Sequence, residues 1–261
     1  MFVEKKLEVI PFINIPLTRI LVKVVRGKKW LGKVTYAEIK SGNEFVEVAE
    51  SCGLMVELGN YVLGRSLSDF RTILDQARMP LELSVNISAM QFMQSGFADL
   101  VLSELQKHGV HPHYLTLEIT ETVFMAGFDQ VIPVLEHLRR EGISLSMDDF
   151  GTGYSSLSSL RHFPLDRLKI DQSFTREIGN DEAATEITQT IISMGKRLGL
   201  RIIAEGVETA EQARFLREHG CDEFQGHYFG RPLDADQITD LLVDLMIADS
   251  SRKTVSTENT E

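Results

Sequence analysis

From about residue 81 the chain repeats one pattern: a short apolar run, an amphipathic stretch, a glycine, then another apolar run. The glycines are Gly109, Gly142, Gly199 and Gly220, which follow Lys107-His108, Arg140-Glu141, Arg197-Leu198 and Glu218-His219. A glycine there takes the left-handed conformation that turns a chain back after a helix. Ile187, Ile191, Met194 and Leu198 fall on one face of a helix, as do Val131, Leu135 and Leu138. The apolar runs predict strands over 81–86, 115–119, 144–148, 167–170, 201–204 and 222–225. Strands alternating with helices predict an α/β fold with a parallel sheet. With one or two more strands before residue 81, these suit a (β/α)8 TIM-like barrel; the competing arrangement is an open doubly wound sheet. The barrel is favoured because polar residues end nearly every strand, as a site collected at one face requires.

Those strand ends are Asn86, Glu118, Asp148-Asp149, Lys169, Glu205 and Gln225. One carboxylate at a strand end reads as a cap for the next helix. Several in one cleft repel each other by several kcal/mol unless a cation compensates. Lys169 is one cation, and divalent metal would supply the rest. Oxygen donors without cysteine or an obligatory histidine suit hard ions, Mg²⁺ or Mn²⁺, with Ca²⁺ as a further option. Two ions about 3.5–4 Å apart sharing a carboxylate suit phosphodiester hydrolysis. Asp148 and Asp149, adjacent in sequence, could bridge and flank such a pair.

Composition narrows this further. The chain has 261 residues, a formal charge of −11, 43% hydrophobic and 25% charged residues, which excludes wholesale disorder. Cys52 and Cys221 have no metal or redox spacing, so a reducing compartment is expected. The acidic balance argues against binding a nucleic-acid polymer, which depends on neutralising phosphates. Residues 7–25 carry Glu8, Pro11, Pro16, Arg19 and Lys23, which spoil a membrane span. With no secretory pattern either, a cytoplasmic chain is expected. A polar, disordered tail is expected over 249–261. His108, His111 and His113 read as ordinary residues of a connection. Asp171 reads as a helix cap, a partner of Lys169, or a catalytic group.

The strand-end residues lie in segments that resemble the EAL-domain family of cyclic di-GMP phosphodiesterases. These segments are Ser84-Val85-Asn86-Ile87-Ser88, Leu117-Glu118-Ile119-Thr120-Glu121, the run from Asp148-Asp149-Phe150-Gly151 to Leu157, Leu168-Lys169-Ile170-Asp171, Ala204-Glu205-Gly206-Val207-Glu208-Thr209 and Gln225-Gly226. The resemblance covers roughly residues 43 to 235. It implies a barrel with one strand commonly antiparallel, a dimer, and hydrolysis of cyclic di-GMP to linear pGpG with Mg²⁺ or Mn²⁺. It also implies roles. Asn86, Glu118 and Asp148 resemble ligands of a first metal, with Asp148 bridging to a second and Asp149 alongside. Lys169 resembles the lysine that orients the attacking water, and Glu205 the carboxylate completing the metal–water network. Gln225 falls at the far, substrate-facing wall, and Glu121 resembles the glutamate holding the loop after Asp149.

The chain departs from the family pattern before residue 43. It has no Glu-Ala-Leu. Gly32-Lys33-Val34-Thr35-Tyr36-Ala37-Glu38 resembles the strand leading into that motif, which makes Glu38 a further metal ligand. Val22-Lys23-Val24-Val25-Arg26 offers a competing alignment with no glutamate there. The organisation expected is an atypical segment over 1–31, an EAL-like barrel over 32–248 and the tail. Two functions follow: a phosphodiesterase, or an inactive EAL domain acting as a cyclic di-GMP receptor or protein-interaction module, each open to a regulatory protein partner.

Overall fold

The computed structural model describes residues 49, 51–76, 81–121, 123, 128–151, 160–230, 233, 237–238 and 240–242. Residues 1–31, Glu38 and the tail over 249–261 lie outside the described residues. Helix α1 (Met55–Gln76) leads into β1 (Leu83–Ile87), α2 (Ala89–Phe92) and α3 (Phe97–His108). Then come β2 (Leu115–Thr120), α4 (Phe128–Arg140), β3 (Ser144–Phe150) and β4 (Arg167–Ile170). The chain continues through α5 (Gln172–Arg176), α6 (Glu182–Arg197), β5 (Arg201–Ala204), α7 (Ala210–Glu218) and β6 (Glu223–Phe224).

The strands form one parallel sheet in the sequential order β1-β2-β3-β4-β5-β6. A doubly wound sheet reverses its order at a switch point. This sheet does not reverse, and its order is that of a barrel. The four glycines all have positive φ, between 63° and 94°. Each turns the chain from a helix back toward the next strand, as the pattern predicts.

Alternation along the strands separates two faces. Leu117, Ile119, Met147, Leu168 and Ile202 are fully buried in the core with Leu135 and Leu138 of α4. The intervening positions, among them Asn86, Glu118, Asp148 and Lys169, belong to the opposite face. Leu117→Ala is expected to lower stability by about 2–5 kcal/mol through lost burial and a residual cavity. Urea unfolding checks this as a lower midpoint at unchanged slope.

Helix α6 corrects one expectation. Its buried face is Thr188, Ile191, Ile192 and Gly195, whereas Ile187 is 46% exposed. The face is set by Gly195, where a Cβ would come within 2.2 Å of Ile202 on β5. That close approach rotates Ile187 outward, which apolar spacing alone could not show.

Candidate functional site

The inward residues at the C-terminal ends of the strands meet in one acidic cleft. Glu118 stands near the end of β2, opposite Asn86 on β1. Asp148 comes from β3, Lys169 from β4, and Glu205 directly follows β5. The Lys169 Nζ lies 2.7 Å from Glu118 Oε2, 2.9 Å from Asp148 Oδ1 and 2.5 Å from Glu205 Oε1. The Asn86 amide, oriented by its neighbours, donates to Asp148 Oδ2 at 3.1 Å and to Glu118 Oε2 at 3.2 Å. One carboxylate oxygen each from Asp148, Asp149 and Glu205 lie within 4.8 Å of one another.

That last grouping needs a local irregularity. Consecutive strand residues point to opposite faces, which would separate Asp148 from Asp149. The β3–β4 register shifts between Met147 and Phe150, and Asp149 has φ 53°. This bulge places one extra residue on β3 and turns Asp149 back toward its neighbour's carboxylate. Aspartate tolerates the left-handed region better than most side chains. The Asp149 N–H donates to Asp148 Oδ1 at 3.1 Å, which helps fix the pair.

The electrostatics follow from burial and crowding. Glu205 is pushed up to about 7 by burial, with Asp148 and Glu118 adding repulsion and Lys169 opposing it. Asp149 is raised by burial, then by Asp148 and Asp171. Lys169 is pulled down by burial, but Glu118, Glu205 and Asp148 outweigh this and raise it overall. It therefore stays an ammonium. Among the described residues, four carboxylates thus face one cation. Glu118 Oε1 and Gln225 Oε1 are buried with no hydrogen-bond partner among the described residues. The unsatisfied buried oxygen of Glu118, beside excess negative charge, fits a hard divalent cation.

The loop carrying Glu205 is clamped from two sides. Gly206 has φ 64°, and a Cβ there would meet Gln172 Cβ at 2.5 Å. Gly226 packs so closely on Val207 that a Cβ would lie 2.2 Å from its carbonyl oxygen. The Val207 N–H donates to Gln225 O at 3.0 Å, tying this loop to the residues after β6.

Of the residues singled out from the sequence, Asn86, Glu118, Asp148, Asp149, Lys169 and Glu205 come together here. Gln225 immediately follows β6, beside the Glu205 loop. Glu121 is buried just past β2, but residues 152–159 of the loop it is expected to hold lie outside the described residues. Asp171 caps α5, accepting from Ser173 N at 2.9 Å. His111 caps the short 3₁₀ turn Pro112–Tyr114, an ordinary connection role. Cys221 is inert: burial pushes its thiol up to about 12.

Sequence reasoning missed a second ionic layer on the same face. Buried Arg167, two residues before Lys169, pairs with Glu82 and lies 3.8 Å from Glu223 Oε2. Arg201 Nε lies 3.4 Å from Glu223 Oε1. The period of two that marks Lys169 as inward also marks Arg167, and that signal was available.

The family model for the EAL domain matches residues 35–232. Cyclic di-GMP phosphodiesterase NbdA of Pseudomonas aeruginosa is 42% identical over 200 residues, covering 77% of this chain and 26% of that protein. The chain spans about a quarter of the length of the curated relatives it matches, 28% and 26% for two of them. Among solved structures, the PaMucR phosphodiesterase in its cyclic di-GMP complex superposes with a TM-score of 0.73 at 40% identity, covering 76% of this chain and 80% of that one. Klebsiella pneumoniae BlrP1, as a manganese and cyclic di-GMP complex, superposes with a TM-score of 0.59 at 31% identity, covering 68% and 44%. Among the described residues no helix is long and apolar enough to cross a membrane.

Proposed function

Because the chain belongs to the EAL domain family, we propose that it is a metal-dependent phosphodiesterase that hydrolyses cyclic di-GMP to linear pGpG. The observation that carries this reading is the acidic cleft, in which Glu118, Asp148, Asp149 and Glu205 surround Lys169. The relatives named as cyclic di-GMP phosphodiesterases and the solved cyclic di-GMP complexes support the substrate.

Glu118, Asp148, Asp149 and Glu205, with the Asn86 amide oxygen turned to the cleft, would hold Mg²⁺ or Mn²⁺, and two ions match the donor number. Glu38 is proposed as a further ligand. The ions would supply a nucleophile at neutral pH and steady the charge on phosphorus. Lys169 donates hydrogen bonds toward the attacking oxygen, and Glu205 accepts a proton or completes the ligand set. Gln225 lines the substrate side, and Glu121 holds the loop after Asp149. A cytoplasmic homodimer open to a regulatory partner accompanies this reading. The outward apolar residue Ile187 of α6 supports the dimer.

Turnover by the purified chain tests the proposal. Metal-dependent pGpG formation, lost in EDTA, is expected. Nucleotide binding without turnover would make the chain a receptor instead.

A pH dependence follows from Glu205. Its folded pKa, about 7, stands above its ordinary value of 4.5. The proton is therefore held more tightly in the folded chain. This contribution is fully present below pH 4.5 and is lost as pH rises through 7. Metal-free protein is expected to be less stable at pH 8 than at pH 5, by on the order of 3 kcal/mol from this group. Thermal melts in EDTA check this, and Glu205→Gln should remove most of the slope.

A further inference from the structure

We propose that Lys169 is the resident counter-cation of the metal-free site: it holds Glu118, Asp148 and Glu205 in place and releases them when metal enters. The inference rests on reading the cleft as a metal site, and it adds a role distinct from orienting water.

The geometry carries it. An ammonium has three N–H donors and no acceptor. Nζ of Lys169 has three carboxylate partners, all within 2.9 Å. Its donors are fully taken by Glu118, Asp148 and Glu205, so none is free for a water or a phosphate. The side chain is 3% exposed, and Glu118 and Asp148 are also buried. Without this cation, three buried or half-buried carboxylates would face each other with, among the described residues, the Asn86 amide and the Asp149 N–H as their remaining donors. Such a cluster either protonates or opens.

The same oxygens are the ones a divalent ion would take. Asp148 Oδ1 receives both Lys169 Nζ and the Asp149 N–H. An entering cation therefore competes with Lys169 for carboxylates, and the lysine's donors become available as it yields them. The lysine is sequestered in the metal-free chain and set free in the loaded one. A positioning role before loading and a catalytic role after it then belong to one side chain.

Thermal melts with EDTA and with Mn²⁺, and direct Mn²⁺ titration at pH 8, test this on the full chain and on Lys169→Met. In EDTA, Lys169→Met should melt lower by on the order of 10 °C. Mn²⁺ should restore most of that loss, giving a larger metal-induced shift than in the parent. Mn²⁺ should also bind the variant roughly tenfold more tightly, because its internal competitor is gone. The variant Glu118→Gln/Lys169→Met, with one fewer charge, should recover part of the metal-free loss. An equal loss with and without Mn²⁺, or no recovery in the double variant, would assign Lys169 a packing role and overturn the inference. If Lys169→Met folds only with Mn²⁺ and unfolds on chelation, the inference stands; if it folds in neither condition, the double variant decides. Absence of Mn²⁺ binding to the parent would instead defeat the metal-site reading.

Discussion

Asp148→Ala is expected to abolish hydrolysis of cyclic di-GMP and to remove metal-dependent binding with it. Asp148 has three described partners in the cleft, as many as Lys169. It lies 2.9 Å from Lys169 Nζ and receives the Asp149 N–H and the Asn86 amide. In the proposed site it is also the carboxylate that would be shared between two ions. Metal ions stabilise a phosphoryl transition state by several kcal/mol, and each 1.36 kcal/mol is tenfold in rate, so a loss of roughly a thousandfold or more follows. The measurement is pGpG formation at saturating Mn²⁺, alongside Mn²⁺ titration. A thermal melt in EDTA shows whether the variant still folds. Turnover within tenfold of the parent would defeat the assignment of Asp148.

Gly226→Ala is the second large effect, although Gly226 touches no reacting atom. The added Cβ would lie 2.2 Å from Val207 O and 2.3 Å from Val207 N. Both contacts are backbone, so no flexible side chain can move aside. Overpacking of this kind costs about 1–3 kcal/mol or more. Relief requires moving Val207, two residues beyond Glu205. The expected outcome is a lower melting temperature together with a drop in kcat of on the order of a hundredfold, since about 1 Å of misplacement is enough. Gly230→Ala, where a Cβ meets nothing within 4 Å, is the control and should leave both nearly unchanged. A Gly226→Ala variant with parental kcat would remove the clamp from the account of Glu205.

Much of this fold is legible in the sequence because each strand has apolar residues on its helix side and four of the six follow a glycine at a helix end. All six predicted strands begin and end within two residues of the observed ones, and β4 and β5 coincide. The sixth is shorter because its flanks are used elsewhere. Asp222 accepts the Ile202 N–H at 2.8 Å, and Gln225 N donates to Ala204 O. The site residues were legible as polar strand ends. Their geometry was not. The bulge at Asp148-Asp149 depends on pairing with β4, and adjacent aspartates on an ideal strand would point apart. The Arg167 layer joins Glu82 to Glu223, partners too distant along the chain for spacing to connect. The rotation of α6 depends on one glycine packed on Ile202.

The sequential strand order also bears on how the acids are brought together in time. Each strand pairs with the next in the chain, so each step closes a loop of on the order of 30 residues, and closure entropy grows only slowly with length. Growth can therefore proceed one neighbour at a time as the chain emerges from its N-terminal side. Glu118 arrives with β2, Asp148 and Asp149 with β3, Lys169 with β4, and Glu205 after β5. An intermediate that has docked only β1 to β3 holds three carboxylates and no ammonium. Docking β4 neutralises part of that charge, so repulsion in the partly built sheet becomes a drive toward its next step. The last carboxylate joins a cluster whose cation is already present, and no stage of sequential assembly has to gather all four acids unaided.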